Sequence, residues 1–340
     1  MKILISLLIL GIIILIHELG HFLSARLFKI PVEEFSIGMG TEVYTYEGMR
    51  TKYSFRAIPI GGYVNIKGMD LEDTDADGFN KKPAYQRFVV LIAGVFMNFL
   101  LAYTILFGMI YTKGEIKINE KAVVGHLVNK NKENQLKIGD LILEIDGKKI
   151  NSWSDIKKTV NSLENKDGEK KVLVNRKGKE ELVSVELTKD KKTNRYYLGI
   201  SPEYSIIKFS AKESGVLAWE GFKDIFENIL KSLKLMINGQ VKKEEISGPI
   251  GIINIVGEAS KMGVETLIWL TAVLSINIGI FNLLPFPALD GGRMIFVILE
   301  MLKIKVNKKT EEKIHYAGII LIFILIIFIT ANDFTNLLKH

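Results

Sequence analysis

An ionisable side chain in lipid is costly unless it is paired or put to use, and the apolar run from Ile9 to Arg26 carries three of them. His17, Glu18 and His21 close a segment that is apolar from Ile3 to Ile16 apart from Ser6 and Gly11. On an α-helix the two histidines project from one face, roughly 5–6 Å apart. That spacing suits two corners of a tetrahedral zinc site, with Glu18 beside the metal where a general base belongs. Packing in a helix bundle, or a chance match to a short motif, is the plain alternative, and the lipid setting argues against it.

The run has the outline of a secretory signal behind Lys2. The small-residue cleavage pattern is absent, however, and the helical pattern continues through HELGH to about Phe28, so a retained spanning helix is expected. His17 would lie roughly 20–25 Å along it, in the far half of a hydrocarbon core about 30 Å thick. Three further apolar runs, Gln86–Tyr111, Leu267–Leu284 and Ala317–Ala331 (extended by Ile314 to Tyr316), give four expected spans. The chain has 340 residues and no cysteine, so any metal must be held by His, Asp or Glu. The net charge of +7 is spread over scattered lysines without a nucleic-acid motif, which argues against a nucleic-acid partner.

Between the first two spans, EVYTYE, RTKYSFR and IPIGGYVNI alternate around a turn at Gly48 and read as a membrane-associated β-hairpin. Such a hairpin either adds an extended substrate as an extra strand or simply closes the loop. Asp73, Asp75, Asp77 and Gly78 have the spacing that opens a calcium loop, but Ala84 stands where the closing Glu belongs, so a solvated acidic loop is the better reading. On the second span, Gly94 and Asn98 lie four apart, which serves either close helix packing or a functional role. Lysine-rich β-like runs with one short helix then form a small α+β domain over residues 113–205. From Glu213 to Asn238 a strongly amphipathic helix follows, fit for the membrane interface or for docking on the bundle, with the linker SGPIGI after it.

The third span carries Asn277 and Asn282 and runs into PFPALDGGRM. Its prolines leave Asp290 on irregular backbone at membrane depth, where it is either a metal ligand or a turn aspartate opening a helix. Domains are thus expected at 1–112 (two spans and hairpin), 113–205 (soluble insert), 206–260 (amphipathic helix and linker) and 261–340 (two spans). Lys and Arg crowd the 26–87 and 293–313 loops, which places those loops in the cytoplasm and the termini and insert outside.

HELGH, FSIGMG, PIGGYV, FNKKPAYQR, AGVFMNF, KIGDLILEIDGKKI, SGPIGI and NLLPFPALDGG, in this order, resemble the bacterial site-2 proteases, intramembrane zinc metalloproteases of the kind that cut membrane-bound anti-sigma factors. The resemblance implies a multi-pass α-helical protein of four spans with an inserted PDZ-like domain in the bacterial plasma membrane. It implies zinc held by His17, His21 and Asp290, Glu18 as general base, and substrate handling by the hairpin and the Asn277/Asn282 region, with Asn98 a further candidate. The implied partners are membrane lipid and single-span membrane proteins such as anti-sigma factors or signal-peptide remnants, already trimmed by another protease. Val95 follows Gly94 where many relatives have proline, and there is one insert where some have two PDZ domains. A membrane zinc transporter and a catalytically inactive PDZ scaffold are the rival functions.

Overall fold

In the computed structural model, residues 2–69, 77–128, 135–163, 168–189, 196–240, 248–304 and 306–338 are described. The acidic stretch with Asp73 and Asp75 lies outside them. Two units divide the chain, Met1–Met109 with Lys212–His340, and Ile110–Ala211.

The first unit is organised by four helices long and apolar enough to cross a membrane: α1 (Lys2–Leu27), α2 (Ala84–Lys113), α6 (Val264–Leu283) and α8 (Lys308–Leu338). Helices α1 and α2 meet backbone to backbone, because a Cβ on Gly20 would stand 2.3 Å from the carbonyl oxygen of Ala93. Helix α6 is tied to α2 by Ser275, whose hydroxyl donates to the Asn98 carbonyl at 2.8 Å. Helix α8 leaves a band of large apolar side chains from Ile319 to Phe328 exposed, as a lipid-facing helix does.

The hairpin consists of β1 (Val32–Glu47) and β2 (Lys52–Ile66), each bent so that it supplies two runs. Residues 34–37 lie between two runs of β2, with Phe35 opposite Val64 on one side and Tyr53 on the other, while 44–47 pair with 52–55. Phe22 of α1 packs on Phe35 and Tyr53, fixing the sheet to the helix. A polar cluster holds the bend: Tyr63 and Ser54 donate to Glu34, and Arg56 pairs with the same carboxylate at 2.8 Å. Burial pushes the Glu34 carboxyl up, but those three donors outweigh it and hold it at about 2. Burial and the Glu34 charge push the Tyr63 phenol up to about 12. A carboxyl lowered on folding contributes stability above its unfolded value of about 4.3 and loses that contribution as pH falls toward its folded value. Thermal stability in detergent is therefore expected to fall between about pH 4.5 and 2, with the slope reduced in Glu34→Gln.

Helix α4 (Ala211–Ile237) docks on the bundle through Phe222 and Phe226, whose rings lie 5.6 and 5.8 Å from Phe99 of α2. The segment expected as a linker after it is helical instead: α5 (Pro249–Met262) starts with proline at its first turn. Its free N–H groups on Gly248 and Gly251 each donate to the Asp333 carboxylate of α8 at 3.0 Å, so a cap supplied from a distant helix replaces the break that Gly and Pro suggest. Helix α7 (Asp290–Met301) follows the proline-bearing loop.

The second unit carries a four-stranded sheet in the order β6 (Lys148–Lys149), β5 (Leu141–Ile145), β7 (Glu169–Arg176), β8 (Lys179–Glu186), with α3 (Trp153–Asn161) after β6. Alternating apolar residues Val172, Val174, Val183 and Val185 face Ile142, Ile145, Ile156 and Val160 in one core. Short pairs complete it: β3 (Glu115–Ile118) with β12 (Tyr204–Ile207), β4 (Val124–Leu127) with β11 (Ile200–Pro202), and β9 (Thr188–Lys189) with β10 (Tyr196–Tyr197).

Candidate metal centre and active site

Helical spacing puts His17 and His21 on the face of α1 that meets α2, and both rings are buried. Their Nε2 atoms lie 3.1 Å apart. Asp290, from the first turn of α7, brings Oδ2 to 2.9 Å from His17 Nε2 and 3.4 Å from His21 Nε2. Ligands of a tetrahedral zinc at about 2.0–2.1 Å stand roughly 3.3–3.4 Å from one another. Three donors at these separations fit that ion, and a pair of facing imidazole nitrogens is what a shared cation reconciles.

The outer partners suit the same group. His21 Nδ1 lies 2.8 Å from the Val90 carbonyl, which takes the ring proton and leaves the Nε2 lone pair to a metal. Asn98 stands 3.4 Å from His17 Nδ1 through its Nδ2, while its Oδ1 is buried with no partner among the described residues. The two ends of an amide exchange by a half-turn. In the turned position Oδ1 accepts the Nδ1 proton of His17, which leaves the Nε2 lone pair free for a metal.

Close packing sets this geometry. A Cβ on Gly94 would lie 2.5 Å from His21 Nε2 and 2.8 Å from His17 Cε1. With both rings held from behind, neither can yield cheaply, so Gly94→Ala is expected to cost about tenfold or more in zinc affinity while the protein stays folded, measured by competition with a chelating dye. Asp290 is placed by its own loop. Gly291 and Gly292 allow α7 to tuck under the carbonyls of Leu283, Leu284 and Phe286. Ala288 takes a φ of 77°, a strained value for a residue with a Cβ. Its N–H is held by His315 Nδ1 of α8 at 3.2 Å, and Gly318 of α8 packs on Pro287.

Glu18 stands beside the cluster, and its Oε2 accepts the Val64 N–H of β2 at 3.0 Å. One cavity of about 340 Å³ holds His17, Glu18, His21 and Asp290 together with Asn282, Tyr63 and Arg293. The structure thus brings five of the seven sequence candidates to one cavity and sets Asn98 behind His17. Asn277 goes elsewhere, to an apolar groove of about 490 Å³ between α4 and α6. Sequence reasoning missed the Val64 N–H and Arg293. Backbone donors carry no sequence signal, whereas Arg293, one helical turn past Asp290, had one in its position.

Two buried histidines, a convergent aspartate and an adjacent glutamate within a helical membrane scaffold define a metallopeptidase-type site. Residues 5–325 match the sequence pattern of Peptidase family M50, and the chain belongs to that family. It is 52% identical to a Fusobacterium nucleatum protein provisionally named a zinc metalloprotease, over 98% of each chain. It is 34% identical to a protein of Clostridium acetobutylicum of the same provisional designation, over 98% of this chain and 97% of that one. The regulator of sigma-W protease RasP of Bacillus subtilis is 29% identical over 97% of each. Among solved structures, the PDZ domain of an SdrC-like protein from Listeria monocytogenes is similar at 26% identity over 25% of this chain and 92% of that one, with a TM-score of 0.22. The chain is therefore a zinc metalloendopeptidase of a membrane.

Proposed function

We propose that this protein cuts single-span membrane proteins within the bilayer, with His17, His21 and Asp290 holding zinc and Glu18 acting as general base. The observation that carries the reading is the convergence of Asp290 on the two histidines beside Glu18, inside helices of membrane length. Zinc supplies a Lewis acid and lowers the pKa of water toward about 7. Glu18, with Oε2 held by Val64, keeps Oε1 to accept a proton and deliver it to the leaving nitrogen.

A membrane helix hides its scissile carbonyl in hydrogen bonds, so the substrate must unwind before it is cut. The 62–66 run of β2 pairs with β1 on one edge, and from its other edge the Val64 N–H reaches Glu18. A substrate strand laid on that edge would have its backbone next to the base. Asn282, in the same cavity, offers an amide to the freed backbone, and Asn277 would act earlier, where an apolar helix could lie between α4 and α6.

Anti-sigma factors are the substrate class that the RasP likeness favours. The insert, as a PDZ-like domain, would favour substrates already shortened by a first protease. The crowding of Lys and Arg in the 26–87 and 293–313 loops supports an orientation with the insert and termini outside and the metal toward the cytoplasmic side. Zinc transport is the rival, yet a transit site needs no glutamate beside its first ligand. A chelator is expected to stop cleavage of a single-span peptide by the purified protein in detergent, and stoichiometric zinc to restore it, followed by mass spectrometry of the fragments. Cleavage that continues after complete zinc removal would end this reading.

A further inference from the structure

Helix α1 ends at a basic cavity. Arg26 lies about 35 Å along the helix from Ile3, past a hydrocarbon core about 30 Å thick and at the depth of lipid headgroups. Tyr85, exposed at the start of α2 with its ring 6.3 Å from that of Phe28, marks the same level, as interfacial aromatic residues do. There Arg26, Lys29, Arg50 and Thr51 line, with residues 30–32, a cavity of about 510 Å³ between the helix end and the hairpin turn.

None of the three cations pairs with a carboxylate among the described residues. The acidic residues nearest in sequence, Glu33 and Glu47, stand outside the lining, and Glu33 accepts from Asn65 instead. Arg26 is held in place: its guanidinium lies over the Phe22 ring at 4.8 Å and donates to Thr51 Oγ1 at 3.5 Å. Thr51 is buried at 3% exposure, and its hydroxyl proton has no acceptor among the described residues. Three positive charges and a spare O–H thus line a space with no negative group, which suits an anion with several oxygens.

The setting favours a lipid over a free anion. Leu23 and Leu27 of α1 are exposed, and Leu23, three residues before Arg26, shares its helix face. An acyl chain laid on that stripe would bring its phosphate to the cations. The basic 26–87 loop supports placing this end of α1 in the cytoplasmic leaflet, where anionic lipids gather. A choline headgroup, by contrast, would set a fourth cation among the three. We propose that the cavity binds the phosphate of an anionic phospholipid, clamped between the end of α1 and the hairpin turn. The lipid would then tie the helix that carries Glu18 to the hairpin whose Val64 N–H holds that residue.

Binding alone tests the site, so the result is independent of whether the protein cuts a peptide. The full-length protein, delipidated in dodecyl maltoside, is titrated with dioleoyl phosphatidylglycerol and with dioleoyl phosphatidylcholine, and bound lipid is counted by native mass spectrometry. The wild type is expected to prefer the first lipid by about tenfold or more, since each basic side chain at a lipid surface contributes about fivefold. Lys29→Gln/Arg50→Gln should bring the preference near one; among the described residues neither side chain has a polar partner to lose. Lys303→Gln/Lys309→Gln, which takes two exposed charges from the other basic loop, should leave it unchanged. Thermal melting shows that each variant is folded. Should the first double variant melt early, Arg50→Gln on the exposed turn decides, with an expected loss of about fivefold. No preference in the wild type, an equal fall in both double variants, or displacement of the lipid by equimolar inorganic phosphate would overturn the site.

Discussion

Glu18→Gln is expected to retain zinc and to lower the rate of cleavage of a single-span peptide by about 10²–10⁴-fold, the usual contribution of a positioned acid–base group. The substitution keeps the side-chain length, and an amide can still accept the Val64 N–H that the carboxylate accepts at 3.0 Å. The three donor atoms assigned to the metal are left in place, since Glu18 is not among the atoms that converge. What is lost is the ability to take a proton and return it to the leaving nitrogen. Zinc content by elemental analysis, beside fragment yield by mass spectrometry, distinguishes this outcome from a collapsed site. Undiminished cleavage would remove Glu18 from the mechanism, and equal zinc transport into vesicles by wild type and variant would favour the transporter instead.

Asp290→Asn should separate the two halves of the site. The histidines are four residues apart on one rigid helix and hold their geometry without help, while the aspartate arrives from α7 across the bundle. Exchanging its carboxylate for an amide removes the one negative charge among the three donors, and the neutral oxygen is a poor zinc ligand. Loss of an outer partner typically costs about 10–100-fold in metal affinity, and loss of the ligand itself should cost more. Zinc retained at wild-type affinity, in a variant that melts normally, would show that another group completes the site.

Much of the scaffold was legible because its signals are local. The four spans are apolar over lengths that suit lipid, and the structure has helices at each of those places. The alternation around Gly48 announced strands, although not that each strand would bend and place residues 34–37 between two runs of β2, a consequence of long-range pairing. Helix α5 was hidden for a related reason. Gly and Pro in SGPIGI read as a break, and the carboxylate that caps the helix belongs to Asp333, 85 residues further on. Asn277 and Asn282 looked equivalent on one apolar run, yet five residues turn an α-helix by about 500°, and the two side chains line separate cavities.

The sequence by itself determined that two histidines share a helix face in a membrane span, and that a glutamate stands beside them, because the 3.6-residue period is a property of neighbouring residues. It also offered Asp290, through broken helix at membrane depth, with the turn aspartate left as a rival. Tertiary structure alone decided that Asp290 Oδ2 comes to 2.9 Å from His17, that Val64 holds Glu18, and that Arg293 meets His315. Each of those contacts depends on how closely helices and hairpin approach, and that approach is fixed by small residues such as Gly20 and Gly94 where backbones and rings meet. Periodicity assigns a side chain to a face, while packing distance decides what that face can reach.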